Sequence, residues 1–172
     1  MITGSPIILK TATATDVSTI RRLAHDIWWH TYESFLDHGQ ISLMLELIYS
    51  EQELLAQMDA GQHFILAQQD KNTVGFVGFR PKPGQPHIMR IEKLYLSPSQ
   101  QGKGLGRKLI AYVDQCARDL GCSTLELNVN RHNPATAFYD RQGFIIVDTV
   151  DIPYHGYVLN DYVMQRNLIA DL

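Results

Sequence analysis

The apolar positions of this chain follow two repeats whose order along the sequence outlines a fold. Val17, Ile20, Leu23, Ala24, Ile27 and Trp28 recur at helical spacing after Thr15-Asp16, either of which can cap a helix. After a break at Asp37-His38-Gly39, Gln40 to Tyr49 carries Ile41, Met44, Leu45 and Ile48 in phase, and Glu51 to Met58 makes a third helical stretch. Short strand-like runs follow at His63 to Ala67, Thr73 to Val77, Ile88 to Leu96, Ser123 to Val129, Phe144 to Val150 and Tyr157 to Met164, with another at Pro6 to Lys10. Asp70-Lys71-Asn72 has the composition of a hairpin turn. Pro81 to Pro86 reads as a loop, because proline can neither donate to a ladder nor continue a helix. A helix through Leu120 has Leu109, Tyr112, Val113, Cys116 and Leu120 as its stripe and Gly121 as C-cap. A shorter one, Asn133 to Arg141, stops at Gly143.

Strands alternating with helices in the second half require crossover connections, while the hairpins add antiparallel edges. The expected class is therefore α/β (α+β), with a mixed, mostly antiparallel central sheet flanked by helices. With 172 residues, the chain reads as one domain, 1–172. A hydrophobic share of 45% and a charged share of 19% are those of an ordinary soluble protein.

The net charge of -3 argues against a protein that grips a nucleic-acid backbone. Its distribution is more informative. Leu23 to Asp70 contains no Lys or Arg and eight acids, whereas Lys93 to Val113 carries Lys93, Lys103, Arg107 and Lys108 and no acid. Two cysteines, Cys116 and Cys122, are too few for a disulfide framework, and His25, His30, His132 and His155 form no pattern of metal ligands, so no metal is expected. No segment approaches the ~18 apolar residues of a spanning helix, and the first residues lack the pattern of a secretory signal. The expected setting is the cytoplasm, with no membrane partner.

The most informative segment is Gln101-Gly102-Lys103-Gly104-Leu105-Gly106-Arg107-Lys108, between a strand and a helix. Unpaired N–H groups at a helix start suit an anion, glycines allow close backbone approach, and basic side chains add charge. A tight turn would use the same residues. The spacing fits neither the dinucleotide fingerprint G-x-G-x-x-G nor a P-loop. It does fit Q-x-x-G-x-G, as Gln101, Gly104 and Gly106. Downstream, Asn128-Val129-Asn130 ends a strand before Asn133-Pro-Ala-Thr-Ala-Phe-Tyr139-Asp-Arg-Gln-Gly143-Phe144.

These two ordered motifs, covering residues 88–150, resemble the GNAT superfamily of N-acetyltransferases. The resemblance implies a β-α-α-β-β-β-α-β-α-β-β order, acetyl-CoA as co-substrate, and transfer of its acetyl group to a primary amine. By resemblance, Leu94, Tyr95 and Leu96 pair with the cofactor arm; Gln101, Gly102, Lys103, Gly104, Leu105, Gly106 and Arg107 hold its pyrophosphate; and Asn133 bonds the arm. Asn133 serves equally well as a helix N-cap ahead of Pro134. Tyr139 occupies the position of the tyrosine that often acts as general acid in the family. Glu92 is the candidate base acting through water, or else a solvated strand residue. The resemblance leaves a homodimer open.

An amine with a pKa of ~10.4 needs about 4–5 kcal/mol to be deprotonated at pH 7, and the departing thiolate needs a proton, so such a site wants both a base and an acid. For the acceptor, Trp28, Tyr32 and Glu33, with Trp29 and Asp37, offer aromatic faces and carboxylates suited to an organic cation, joined by Tyr157 and its neighbours Tyr154, His155 and Asp161. Polyamines come first, with a weak likeness to bacterial polyamine acetyltransferases. The alternatives are acetylation of a peptide or protein at its N-terminus or a lysine, and a non-catalytic acetyl-CoA sensor. The acidic block reads equally well as a solvated helix face.

Overall fold

The computed structural model describes residues 4–168. Its elements are β1 (Ile8–Thr11), α1 (Val17–Tyr32), α2 (His38–Tyr49), α3 (Glu51–Asp59), β2 (His63–Gln69), β3 (Asn72–Lys82), β4 (Gln85–Leu96), α4 (Leu105–Asp119), β5 (Thr124–Asn130), α5 (Ala135–Arg141), β6 (Ile145–Tyr154) and β7 (Tyr157–Asn167). Three helices precede β2, where the family order has two, because Ser50 takes an extended conformation between α2 and α3 and its hydroxyl accepts from the Glu53 N–H. The strands make one sheet ordered β1-β2-β3-β4-β5-β7-β6, antiparallel except for β4 and β5.

The chain divides into two compact units: residues through Phe79 with Lys93–Leu109, and Arg80–Glu92 with residues from Ile110 onward. In the first, β1 and β3 flank β2 in antiparallel register, Leu9 facing Ala67 and Leu66 facing Phe76. The β2–β3 turn places Asp70 and Lys71 at φ 50° and 68°, the two-residue geometry whose twist suits a hairpin. The expected stripe of α1 is buried, with Ile20, Ala24, Ile27 and Trp28 inside, and Ile41 and Leu45 of α2 and Leu54 of α3 complete the helical core. The Tyr49 ring meets Phe76 at 6.3 Å, joining α2 to β3.

In the second unit, β5 runs parallel to β4, with Ile88 beside Thr124 and Ile91 beside Leu127, and β7 pairs antiparallel with β5 on its other side. The β6–β7 hairpin turns at His155 and Gly156, both at positive φ. Asp114 on α4 accepts from Arg166 of β7 at 2.7 Å, and the same guanidinium bonds the Gln142 carbonyl beyond α5. Among the described residues, no helix is long and apolar enough to cross a membrane.

The expected loop over Pro81 to Pro86 is mostly strand. β3 continues to Lys82 and β4 begins at Gln85, leaving a turn of Pro83 and Gly84, the latter at φ 77°. Proline's fixed φ is compatible with extended chain, and alternate residues of an antiparallel pair exchange no ladder bonds, so a hairpin end tolerates prolines. Within the first unit Gly75 of β3 approaches Leu96 of β4, and within the second Arg80 meets Glu92.

Candidate active site

The glycine segment emerges from β4 through the short helical turn Pro98–Gln100. Buried Gln100 anchors that turn by donating to Gln69 Oε1 at 2.9 Å. Gly102 and Gly104 stand at φ 76° and 83°, and a Cβ at either would meet nothing within 4 Å, so both glycines serve backbone conformation and border open space. Gly104 O accepts from Lys108 N at 3.1 Å, starting α4, and the first turn of that helix carries no acid. Its leading N–H groups are those a helix cannot pair internally, and Lys103, Arg107 and Lys108 are exposed beside them. Glycines at positive φ, unpaired amides and cations together fit the pyrophosphate of acetyl-CoA.

Strand β4 leads into this segment. A Cβ on Gly75 would lie 2.9 Å from Leu96 Cδ2 and 3.1 Å from the Tyr95 carbonyl, so only glycine lets β3 approach β4 there. Leu94, Tyr95 and Leu96 are half-buried. The Tyr95 hydroxyl shares a 2.9 Å hydrogen bond with that of Tyr32 at the end of α1. Trp28 stacks near both rings, at 4.7 Å from Tyr32 and 5.8 Å from Tyr95, and Tyr49 closes the cluster 5.6 Å from Trp28. Burial pushes the Tyr49 phenol well above its ordinary pKa, so it stays protonated. Trp28 and Tyr32, expected at an acceptor wall, are buried in one aromatic cluster with Tyr95 of β4.

Glu33 and Asp37 lie past that cluster, both exposed. Asp37 caps α2, its carboxylate accepting from Gly39 N at 2.8 Å and Gln40 N at 3.2 Å. Lys93, counted with the basic stretch, does not join it. It is buried, its Nζ donates to Gln62 Oε1 at 2.7 Å, and it lies 5.3 Å from the Phe64 ring centre and 5.8 Å from that of Tyr49.

Tyr139 and Asn133 belong to the second unit. Both are buried. Tyr139 on α5 packs between Phe138 at 5.3 Å and Phe144 at 5.8 Å, and its carbonyl accepts from Phe144 N. Asn133 uses its side-chain oxygen to cap α5, accepting from Ala135 N at 2.9 Å, which leaves the amide's donor end to the other expected role. Tyr157 stands opposite Tyr154 at the mouth of the β6–β7 hairpin.

Glu92 is half-buried. Its carboxylate is 3.5 Å from Arg80 Nε and 3.8 Å from Arg90 Nε. Arg90 leads to a group that sequence reasoning missed: its Nη1 donates to Glu126 Oε1 at 2.7 Å and to Asn128 Oδ1 at 2.9 Å. Glu126, whose side chain is 2% exposed, also accepts from Lys82 and Gln165. Burial would raise this carboxyl, but the bonds from Lys82, Arg90 and Gln165 outweigh it and bring the pKa down to about 2. The signal that could have found this network is a polar two-residue repeat inside otherwise apolar strands: Arg80 with Lys82, Arg90 with Glu92, and Glu126 with Asn128.

Among the described residues, no group of His, Cys, Asp and Glu could hold a metal ion. The family model described as the Acetyltransferase (GNAT) family matches residues 21–144. A spermidine N(1)-acetyltransferase of Thermoplasma acidophilum is 26% identical over 140 residues, covering 78% of this chain and 85% of that one. An uncharacterized N-acetyltransferase of Mycobacterium tuberculosis is 32% identical over 112 residues, covering 64% and 70%. The crystal structure of the PaiA N-acetyltransferase of Thermoplasma acidophilum in complex with coenzyme A superposes with a TM-score of 0.83 at 22% identity, over 94% of this chain and 99% of that one. A family model that matches most of the chain and a shared fold converge, and the chain belongs to the GNAT family of acetyl-CoA-dependent N-acetyltransferases.

Proposed function

We propose that the acceptor is the primary amine of a small organic cation, with polyamines first, and that the amine attacks acetyl-CoA directly with Tyr139 as general acid. The observation that carries the acceptor reading is the Tyr32–Tyr95 hydroxyl bond at 2.9 Å. It ties the aromatic end of α1 to the strand that pairs with the cofactor arm, so exposed Glu33 lies one residue from a side chain in contact with that strand. Aromatic rings and a carboxylate at that point suit an ammonium group. The spermidine-acetylating relative supports the same class.

Acetyl-CoA supplies the thioester carbonyl; the chain supplies position and protons. Backbone groups of Leu94 and Leu96 align the arm, and the glycine segment holds the pyrophosphate. Glu92, fixed by Arg80 and Arg90, receives the ammonium proton through water. The Tyr139 hydroxyl holds the proton that the leaving sulfur needs. A covalent route through cysteine has little support, since burial raises the thiol pKa of both Cys116 and Cys122 and neither is an activated thiolate.

The test is a steady-state comparison of amine classes at saturating acetyl-CoA. Spermidine is expected to exceed free amino acids and a lysine-containing peptide by about tenfold or more in kcat/KM. A peptide that outperforms every polyamine would transfer the assignment to the protein-acetylating alternative.

A further inference from the structure

Asp161 lies on β7 opposite Asn130, at the end of β5 from which the chain departs toward α5. It is half-buried. Among the described residues its carboxylate takes one hydrogen bond, a long one of 3.3 Å from Asn128 Nδ2. Orientation of that amide is fixed from the other side, because Asn128 Oδ1 accepts from Arg90, itself held by Glu126. The cations nearby are committed elsewhere. Arg90 serves Glu126, Glu92 and Asn128, while Arg131 bonds Asp151 and the carbonyls of Val150 and Asp161. Burial raises the Asp161 carboxyl, with Asn128, Arg131 and Arg90 opposing. A desolvated carboxylate with one long bond gains most from a further cation.

Its placement says which cation. Glu92 and Asp161 are joined through Arg90 and Asn128 across β5, with Glu92 one residue past the last β4–β5 pair, Ile91 with Leu127. From strand spacing and rise, their Cα atoms are on the order of 12 Å apart. That separation is spanned by the terminal nitrogens of an extended triamine and lies beyond a monoamine's reach. The backbone beside Asp161 also carries the cofactor-side residues: Arg131 N donates to the Asn160 carbonyl, two residues before Asn133.

We propose that Asp161 is a specificity-determining residue that binds a second ammonium group of the acceptor, while Glu92 serves the reacting one. This makes the acceptor a di- or polycation and rests on the amine reading above. Acceptor discrimination then resides partly in β7, held in place by the Glu126–Arg90–Asn128 relay.

The experiment compares spermidine with n-butylamine as acceptors, in the wild-type protein and in Asp161→Asn and Asp161→Glu. Wild type should favour spermidine strongly. Asp161→Asn should lower kcat/KM for spermidine about ten- to a hundredfold, mainly through KM, and leave n-butylamine within about twofold; the loss is that of a hydrogen bond to a charged group. Asp161→Glu should recover part of the spermidine preference. A parallel fall for both acceptors, or an unchanged ratio, overturns the inference while leaving amine acetylation intact. Equal wild-type rates on the two acceptors do the same. Wild type that acetylates neither amine overturns the functional reading itself, and the inference with it. Thermal melting of both variants identifies any loss due to unfolding; should Asp161→Asn fail to fold, Asp161→Ser is read in its place, and an unchanged spermidine preference there overturns the inference.

Discussion

Tyr139→Phe should lower kcat about a hundredfold or more while leaving the affinity for acetyl-CoA within about threefold, the range expected when a general acid is removed without disturbing binding. The substitution keeps the ring between Phe138 and Phe144 and deletes only the hydroxyl. Stability should change little, which separates this result from a packing defect. Turnover and acetyl-CoA titration on the same preparation check it. An unchanged kcat would remove Tyr139 from the chemistry and leave it a packing aromatic. A fall in kcat that vanishes as pH rises would instead place the proton demand on the amine side.

Glu126→Gln should destabilise the fold by about 3 kcal/mol near neutral pH, lowering the melting midpoint by roughly 10 °C. Glu126 titrates near 2 in the fold against an ordinary value of 4.5. A depressed folded pKa stabilises fully above the unfolded value and ceases to do so as pH falls toward the folded one. The difference between wild type and variant should therefore be constant above about pH 5 and shrink as acid is added from 4.5 toward 2. Part of the neutral-pH loss comes from leaving Lys82 and Arg90 beside a partner that has lost its charge. Chemical denaturation of both proteins at pH 7 and pH 3 measures it; a difference that does not depend on pH would show that packing, not charge, holds this site.

What could be read from the chain beforehand was local. The stripes of α1 and α4, the turns at Asp70-Lys71 and the glycine segment each depend on neighbours within a few residues, and the structure has them where periodicity and turn chemistry put them. The misread features depend on partners far along the chain. Lys93 counts with the basic stretch in the sequence, yet its amine is bonded to Gln62, thirty-one positions away. Glu126 went unnoticed because a single acid in an apolar run carries no pattern by itself; its meaning appears only when strand register sets it beside Lys82, Arg90 and Gln165. Charge division along the chain survives in part: Lys103, Arg107 and Lys108 are exposed at the start of α4.

Release of coenzyme A from acetyl-CoA, followed with and without spermidine and matched against acetylated product, tests the central claim most directly. The account predicts release that depends on the amine and equals N-acetylspermidine formed, one for one. Acetyl-CoA that binds but is turned over no faster with any amine than without one would contradict it, and would leave a protein that senses acetyl-CoA without transferring its acetyl group.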